Sequence, residues 1–582
     1  MSYSKYFKSS NIPQTQPIPG QNMEKNNAGG YSYVVSDWDR LQRFLILGSE
    51  GNTYYVSEKK MTLDNAKCVE RCLAEDGKRV VDMICEISDQ GRAAKNTPAI
   101  FALAMAASYG LEKINPIKRT EKTEKGKNKK AKISDTNNSE YNNACETRKY
   151  ALEAFSSRKV VRTGTHLFEF AQFVNTFRGW GPSLHNAFMN WYHSMPVSEL
   201  SYQIVKYPSR ITEEGSPSSR WSHRDIMRKR LGASKEKNRN AAFDYAVHGT
   251  ENLWKNTGWA NKGKAKDDLK PIIGDIKIRD AKDASEVSSI ISEYGLPHEC
   301  VPTQYKKDHS VLESLLPNMP LHALVRNLGS MTANGFLQPL SKQVSYIVET
   351  LKNEKYIHKS RMHPITLLSA IKVYSSGRGM KGSLTWTPIG NIVDALNDAM
   401  YMSFDNVEPT NKNIFLALDV SGSMGGSIVC GMEHITAREA VACMSLATAK
   451  TEKNYHIMGF STNFVNLNIS PKQRIDQVCH YMSSMPFGGT DCSLPMVYAL
   501  EKKMDVDTFI IYTDNETYAG VKHPSECLKE YRKKINPRAK MIVVATSATE
   551  FSIGCDNDPL VLQVAGFDSA APAIISDFIR NN

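Results

Sequence analysis

The segment Asn413 to Met424, N-I-F-L-A-L-D-V-S-G-S-M, constrains the fold of this chain more than any other stretch. Its first half is an apolar run of strand length that ends on an acid, and its second half is a loop of small residues. The loop offers hydroxyl groups and backbone N–H groups directly after the carboxylate. In an open parallel α/β sheet, ligands bind at the carboxyl ends of the strands, so this segment predicts a cation site at such an edge.

Three side chains at alternating positions of this segment can converge on one side of a turn: Asp419, Ser421 and Ser423. Hard oxygen ligands of this kind suit Mg²⁺, Mn²⁺ or Ca²⁺, although three of them leave the coordination of the ion incomplete. Two later loops after apolar segments, within 487–492 and 509–516, could complete the coordination shell with Thr490, Asp491 and Asp514.

The ordered series of D-x-S-x-S, a Thr loop and an Asp loop resembles the metal-ion-dependent adhesion site of von Willebrand factor A domains. The resemblance implies a divalent cation, Mg²⁺ in the first instance, and an acidic group of a partner that completes the coordination shell. The ligands it implies are Asp419, Ser421, Ser423, Thr490 and Asp514. By itself, D-x-S-x-S also fits a capped turn between a strand and a helix.

Strand and helix patterns alternate from residue 413 to the end, which predicts a doubly wound parallel sheet over residues 411–582. The expected strands are Ile414–Leu418, His456–Phe460, Thr508–Tyr512 and Lys540–Ala545.

Residues 30–400 show a long series of short amphipathic helices with brief turns, and strand-like alternation is scarce there. This pattern predicts an all-α region of HEAT-like helical repeats.

Two segments fall outside this helical pattern. Residues 1–29 are rich in Ser, Asn, Gln and Pro, so we expect them to be disordered. A Lys-rich insertion occupies residues 113–140, and 113–132 alone hold nine Lys and Arg against two Glu. Such a run is typical of a solvated loop, and it could also add affinity for phosphate groups or act as a nuclear import signal.

The charge of the chain is divided unequally. The formal net charge is +12, but residues 411–582 contain 16 Lys and Arg against 18 Asp and Glu, so the whole excess lies before residue 411. A basic half indicates a polyanionic partner, and nucleic acid is favoured over a membrane surface because no basic amphipathic anchor or lipidation signal is present.

Cysteine and apolar content exclude several classes of protein. The eleven cysteines lack CxxC pairs and zinc-type Cys/His spacing, so free thiols in a reducing compartment are expected. The longest apolar run, Ala99–Ala107, is too short to cross a bilayer, and the N-terminus lacks the pattern of a signal peptide. We therefore expect an intracellular protein, mainly cytoplasmic with a nuclear fraction.

Several long strings together resemble the Ro ribonucleoprotein family, in which a helical TROVE ring is joined to a von Willebrand A domain. They include R-F-L-I-L-G-S-E-G-N-T-Y-Y at 43–55, R-N-L-G-S-M-T-A-N at 326–334, G-G-T-D-C-S-L-P-M at 488–496, T-D-N-E-T at 513–517 and G-F-D at 566–568. The resemblance covers the chain from about residue 30 to its end.

The resemblance implies a monomer that binds small noncoding Y RNAs and the single-stranded 3′ ends of misfolded small RNAs, such as defective 5S ribosomal RNA precursors, in RNA quality control. Two basic strings, at 205–210 and 221–230, resemble the RNA-binding face of the family, while Trp221 is expected to pack rather than stack. The RNA-binding residues implied are Lys206, Arg210, His223, Arg224, Arg228, Lys229 and Arg230.

Two other classes of function stay open at this stage. The first is an intracellular scaffold whose A domain captures an acidic protein ligand through the metal. The second is a metal-dependent hydrolase or nuclease that uses Asp419, Asp491 and Asp514. We expect no enzymatic activity, because no second set of carboxylates indicates a two-metal centre and no nucleophile motif is recognisable.

Overall fold

The computed structural model describes residues 12–51, 53–111, 135–207, 221–229, 234–249, 262–380, 382–404, 408–486 and 488–581. The chain divides into two compact units. The sheet unit comprises Met1–Cys68, Gln90–Lys95 and Val344–Asn582, and the helical unit comprises Val69–Asp89 and Asn96–Gln343. This division differs from the domain boundary at 400–411 expected from the sequence, because two N-terminal segments and residues 344–400 cluster with the α/β region.

The helices of the described segments are α1 Asp37–Leu47, α2 Glu58–Asp89, α3 Thr97–Ser108, α4 Asp135–Ser156, α5 Gly164–Phe177, α6 Pro182–His193, α7 Val197–Lys206, α8 His223–Met227, α9 Lys237–His248, α10 Gly263–Asp268, α11 Lys270–Arg279, α12 Ala284–Tyr294, α13 His309–Leu315, α14 Leu321–Ala333, α15 Lys342–Leu351, α16 Glu354–Ser360, α17 Pro364–Ser375, α18 Gly390–Met402, α19 Gly422–Gly426, α20 Ala437–Thr451, α21 Ile475–Ser483, α22 Leu494–Glu501, α23 Pro524–Lys534 and α24 Ala571–Arg580. None of the helices in the described segments is long and apolar enough to cross a membrane.

Helices of the helical unit pack mainly on helices close to them in the chain. Helix α3 contacts α4 and α5, α4 contacts α6, and α11 contacts α7 and α12, which in turn contacts α13. Packing between near neighbours is the pattern of helical repeats, so the expected all-α architecture is confirmed.

Helix α2 contains a kink that the sequence pattern reflects. Its residue Asp76 has non-helical dihedral angles, φ −151° and ψ 90°. The Asp76 carboxylate accepts a 2.9 Å hydrogen bond from the backbone N–H of Arg79, which caps the second half of the helix. The sequence shows separate amphipathic helical patterns near 63–73 and 79–87, and these correspond to the two halves.

The sheet unit is built on a six-stranded sheet of order β11-β9-β8-β3-β6-β7. The strands are β3 Asn413–Asp419, β6 Asn454–Phe460, β7 Phe464–Asn466, β8 Thr508–Thr513, β9 Lys540–Ala545 and β11 Val561–Ala565. All neighbours pair in parallel except β6 and β7, which form an antiparallel edge. The doubly wound prediction is therefore confirmed for the central strands, whereas the sequence analysis missed the short edge strand β7 and the strand β11.

The core on one face of this sheet explains why these strands are continuous apolar runs. Phe415, Phe509 and Met541 lie side by side across three neighbouring strands and are fully buried. They pack with Met496 of α22 and Tyr531 of α23. Because both faces of a parallel sheet are covered by helices, its strands lack the polar alternation of a half-exposed strand.

The N-terminal segment departs from the expectation of disorder. This segment forms a small antiparallel sheet that consists of β1 Met23–Lys25, β2 Tyr31–Val34 and the distant strand β10 Phe551–Ser552. A separate pair, β4 Ile428–Val429 and β5 Met432–Thr436, lies elsewhere in the sheet unit. Gln14 is fully buried, and its side chain donates 2.8 Å to Asp491 and 2.9 Å to the Lys522 carbonyl. The prediction for residues 1–29 is therefore wrong from residue 12 onward, because the buried amides of Gln14 and Asn26 and the buried side chain of Ile18 hold this segment in the fold.

Candidate metal site and basic surface

The five residues expected to bind a cation lie at the carboxyl edge of the six-stranded sheet. Asp419 is the last residue of β3, and Asp514 directly follows the neighbouring parallel strand β8. Ser421 and Ser423 lie at the start of α19, and their hydroxyl oxygens are 3.1 Å apart. Because β3 and β8 are adjacent and parallel, their ends bring the two carboxylates to the same side of the sheet.

Both oxygens of the Asp419 carboxylate are held by neighbours. Oδ1 accepts a 2.9 Å hydrogen bond from the backbone N–H of Ser421, and Oδ2 accepts a 2.7 Å bond from the hydroxyl of Thr513. Asp514 is hydrogen-bonded to the side chain of Ser423. The carboxylates are therefore oriented by short local contacts before any ligand arrives.

Thr490 reaches the same edge on the loop between α21 and α22. The N–H of Gly422 donates a 3.0 Å bond to the carbonyl of Gly488, and the Thr490 carbonyl accepts from the N–H groups of Tyr518 and Ala519 at 3.1 and 3.0 Å. The backbone of this loop is thus fixed, but the Thr490 hydroxyl is buried without a hydrogen-bond partner. A buried hydroxyl that lacks a partner is costly, and a ligand at this position would relieve that cost.

The electrostatics of the site also suit a cation. Burial, followed by the nearby Asp514 carboxylate, raises the pKa of Asp419 to about 7, and burial likewise raises the pKa of Asp514. Two carboxylates that share a buried site resist simultaneous ionisation, and a divalent ion between them reverses that preference. The described residues hold no cluster of three or more His, Cys, Asp or Glu arranged as a metal site, so hydroxyl oxygens must contribute here. The residues present fit a hard cation.

A third carboxylate, that of Glu516, lies beside the site and was not identified from the sequence. Glu516 is only 2% exposed and accepts hydrogen bonds from the Asn27 side chain at 2.7 Å and the Ala28 N–H at 3.0 Å. Burial, followed by Asp514, raises its pKa to about 7. Its partners precede it by almost 490 residues in the chain, so no local sequence signal could have identified the contact.

Asp491, considered above for a hydrolase, has a different environment. Its Oδ1 accepts bonds from the N–H and hydroxyl of Ser493 at 3.0 and 2.6 Å and from the side chain of Gln14 at 2.8 Å. These contacts fix the turn that leads into α22, which is a structural role.

The residues expected to bind RNA divide between surface and interior of the helical unit. Arg224, Arg228 and Lys229 are exposed along and just after the short helix α8, which begins with a capping box formed by Ser222 and Asp225. Lys206 is partly buried at the end of α7, where its ammonium lies 5.6 Å from the ring centroid of Tyr202 and 5.7 Å from that of Tyr207. Arg210 and Arg230 fall outside the described residues, as does the Lys-rich stretch 113–132.

His223 is placed in the interior rather than on the surface. It is 3% exposed, its Nδ1 lies 2.9 Å from the hydroxyl of Tyr192, and the edge of Phe168 packs against its ring at 4.9 Å. Burial lowers its pKa to about 4, so the imidazole is neutral at pH 7. An open cavity of about 290 Å³ reaches this position and is also lined by Tyr207 and Arg224. The role of His223 in RNA binding stays a prediction.

Two further histidines, His166 and His363, make hydrogen bonds within the fold. His363 is 2% exposed, donates through Nε2 to the Arg92 carbonyl at 3.1 Å, and accepts from the N–H of Ile365 at 3.1 Å. Burial lowers the pKa of both histidines to about 4. Both are therefore structural histidines rather than candidate ligands.

The fold defines a helical-repeat protein that carries a von Willebrand A domain. Residues 24–291 and 297–374 match the TROVE domain family, and residues 413–579 match the Ro60 vWA domain family. The chain therefore belongs to the Ro60 family, as the sequence strings indicated.

Two relatives and one solved structure agree with this assignment. The RNA-binding protein RO60 of Deinococcus radiodurans is 35% identical over 571 residues, covering 98% of this chain and 97% of that protein. The RNA-binding protein RO60 of Caenorhabditis elegans is 34% identical over 617 residues, covering 98% of this chain and 92% of that protein. The crystal structure of the Deinococcus radiodurans RO (RSR) protein superposes with a TM-score of 0.65 at 34% identity, covering 94% of this chain and all of that one.

Proposed function

We propose that this protein binds small noncoding RNAs and takes part in small-RNA quality control without a chemical step of its own. Its RNA ligands are Y RNAs and misfolded small RNAs with a single-stranded 3′ end. The observation that carries the proposal is the exposed group of Arg224, Arg228 and Lys229 in a chain with relatives that are named RNA-binding proteins. We further expect a monomer in the cytoplasm with a nuclear fraction.

The charge distribution supports a contact with phosphate groups rather than with base edges. The three exposed cations lie on one short segment, and the formal excess of positive charge lies wholly before residue 411. Contacts between Lys or Arg and phosphates release counterions, so affinity falls steeply with salt and carries little sequence information. Selection among RNAs then depends on shape and on unpaired ends.

The test is a salt-titrated binding assay with a structured small RNA that carries a single-stranded 3′ tail, compared with the same RNA made blunt. We expect preference for the tailed RNA, a steep salt dependence and no cleavage. In the triple variant R224A/R228A/K229A, the slope of log K against log salt should shrink by up to about three. The matched control K472A/K533A/R538A removes three exposed cations of the A domain and should bind like the wild type.

Equal and weak binding of tailed and blunt RNA would contradict the proposal. Cleaved RNA would instead support the nuclease alternative.

The sheet unit supports a second function, the metal-dependent capture of an acidic protein ligand. We propose that Asp419, Ser421, Ser423, Thr490 and Asp514 hold a divalent cation, with Mg²⁺ the first candidate. The unpartnered Thr490 hydroxyl and the raised pKa values of Asp419 and Asp514 support it. When bound, the ion would supply a positive charge with a coordination position for a carboxylate of a partner.

Calorimetric titration with Mg²⁺ and Mn²⁺ tests this second function without any need for the partner. Binding should be lost in the variant T490A/D514A and unaffected by R224A/R228A/K229A. If chelation of the metal also weakens RNA binding, the ion contributes to the RNA site instead of to a protein-docking site.

A further inference from the structure

A column of aromatic rings runs from the core of the helical unit to its surface. Successive ring centroids are separated by 4.3 Å, 4.9 Å, 5.0 Å and 5.2 Å. In order, the rings of this aromatic column belong to Phe170, Phe155, Phe188, Trp180 and Trp221. The three phenylalanines are fully buried, whereas both tryptophans are partly exposed, so the column ends at the surface on Trp221.

Both indole rings are fixed in orientation by hydrogen bonds to helix α5. The Nε1–H of Trp180 donates to the side chain of Asn175, and that of Trp221 donates to the side chain of Gln172, each at 3.1 Å. Gly179 ends α5 with φ +69°, a left-handed conformation that favours glycine, and Trp180 follows directly. The indole planes are therefore set by the scaffold before any ligand binds.

The Lys229 side chain lies beside the exposed end of the aromatic column. The Lys229 ammonium lies 5.8 Å from the ring centroid of Trp221 and 5.9 Å from that of Trp180. Arg224 and Arg228 are exposed on the same segment as Lys229. A π face next to ammonium and guanidinium groups is the combination that binds single-stranded nucleic acid, with bases on the ring and phosphates on the cations.

A purely structural tryptophan in the same unit looks different. Trp191 is fully buried, and its Nε1–H donates 2.6 Å to the backbone carbonyl of Val161. Trp221 is instead partly exposed, and its Nε1–H donates to the exposed side chain of Gln172 rather than to a buried backbone carbonyl. Trp191 is thus enclosed in the core, whereas Trp221 keeps part of its surface open to solvent.

We infer that the exposed end of the aromatic column is a stacking site for an unpaired base of single-stranded RNA. The base continues the column on the indole of Trp221, and Lys229 contacts the adjoining phosphate. This inference rests on the proposed RNA binding and deepens it, because it assigns a base contact to a surface that otherwise offers only charge. Stacking tolerates all four bases, so the site selects unpaired nucleotides rather than a sequence.

The experiment compares two probes of equal length and equal phosphate number, a short oligoadenylate and an abasic ribose-phosphate oligomer. For oligoadenylate, W221A should lose about 5- to 150-fold in affinity, the range expected when one base loses its aromatic partner. For the abasic oligomer, W221A should bind like the wild type, because its cations are intact. The conservative variant W221F keeps a ring and should retain most of the affinity for oligoadenylate.

Three outcomes would overturn the inference: unchanged binding of oligoadenylate by W221A, equal losses for both probes, or W221F as weak as W221A. Thermal unfolding of each variant accompanies the assay, and W221F keeps the test valid if W221A fails to fold. Failure of the proposed function looks different, since the wild type would then bind neither probe nor the tailed RNA. If the wild type binds the tailed RNA and W221A binds oligoadenylate equally well, only the stacking site is rejected.

Discussion

The hydroxyl of Thr513 donates a 2.7 Å hydrogen bond to Oδ2 of Asp419, across two neighbouring parallel strands. Both residues are fully buried, so the bond fixes the carboxylate in an environment shielded from bulk solvent. Groups that orient a metal ligand commonly change metal affinity by 10- to 100-fold when they are removed. Thr513 is therefore a positioning residue for the candidate metal site.

Replacing Thr513 with Val should weaken Mg²⁺ and Mn²⁺ binding about 10- to 100-fold, because the carboxylate of Asp419 loses its orienting bond. Isothermal titration calorimetry measures this loss directly. Thr508 provides the matched control, since it is a fully buried threonine at the opposite end of the same strand. If T508V and T513V lose equal affinity, the effect comes from strand destabilisation, and the positioning role is rejected.

The metal-free protein should become more stable when Asp419 is replaced with Asn. Burial raises the pKa values of both Asp419 and Asp514, and the nearby Asp514 carboxylate raises that of Asp419 further, so an ionised Asp419 is unfavourable in the metal-free fold at pH 7. Removing one charge should stabilise the metal-free fold by on the order of 1–3 kcal/mol, while the stabilisation by added Mg²⁺ disappears. Thermal unfolding with and without chelator measures both effects, and a metal-free D419N less stable than the wild type would contradict the expectation.

Local sequence patterns predicted most of the elements that build the candidate site. The strand around Ile414–Leu418 and its acid were visible because a strand buried on both faces is a continuous apolar run. The kink at Asp76 was visible as a gap between two helical patterns, since an Asp that caps the next turn interrupts the apolar period.

Contacts between distant segments were not predictable. Nothing near Glu516 in the sequence indicates that Asn27 and Ala28 bind its carboxylate, because that pairing exists only after the fold brings the segments together. The burial of His223 was not predicted for the same reason: the string W-S-H-R indicates a basic segment but not which of its side chains points inward. Strand β7 has only three residues, which is too short for a recognisable alternation.

Acid should destabilise the helical unit through His223. Burial lowers the pKa of this imidazole from 6.5 to about 4. Between about pH 6.5 and pH 4, His223 is therefore protonated in the unfolded chain but neutral in the folded protein. The free energy of unfolding therefore falls as the pH decreases through this range, and His223 alone lowers it by about 2 kcal/mol at pH 5. Urea unfolding at pH 7 and pH 5 should show a smaller difference for H223Q.

The exposed residue His480 supplies the control for this acid effect, and H480Q should keep the pH dependence of the wild type. An H223Q variant with the same pH dependence as the wild type would mean that His223 is protonated in the folded protein at pH 5.

The ion pair between Arg92 and Asp568 should be far more important for stability than the pair between Arg580 and Glu408. The Arg92 guanidinium binds Asp568 through Nε and Nη2, closest at 2.7 Å, with both side chains at most 9% exposed. Because D568A leaves a buried charge without its partner, we expect a loss of about 3–5 kcal/mol in the free energy of unfolding. Glu408 is 85% exposed at the same 2.7 Å distance, so E408A should cost less than about 1 kcal/mol. Chemical denaturation of both variants measures the difference, and equal losses would show that burial does not determine the strength of these pairs.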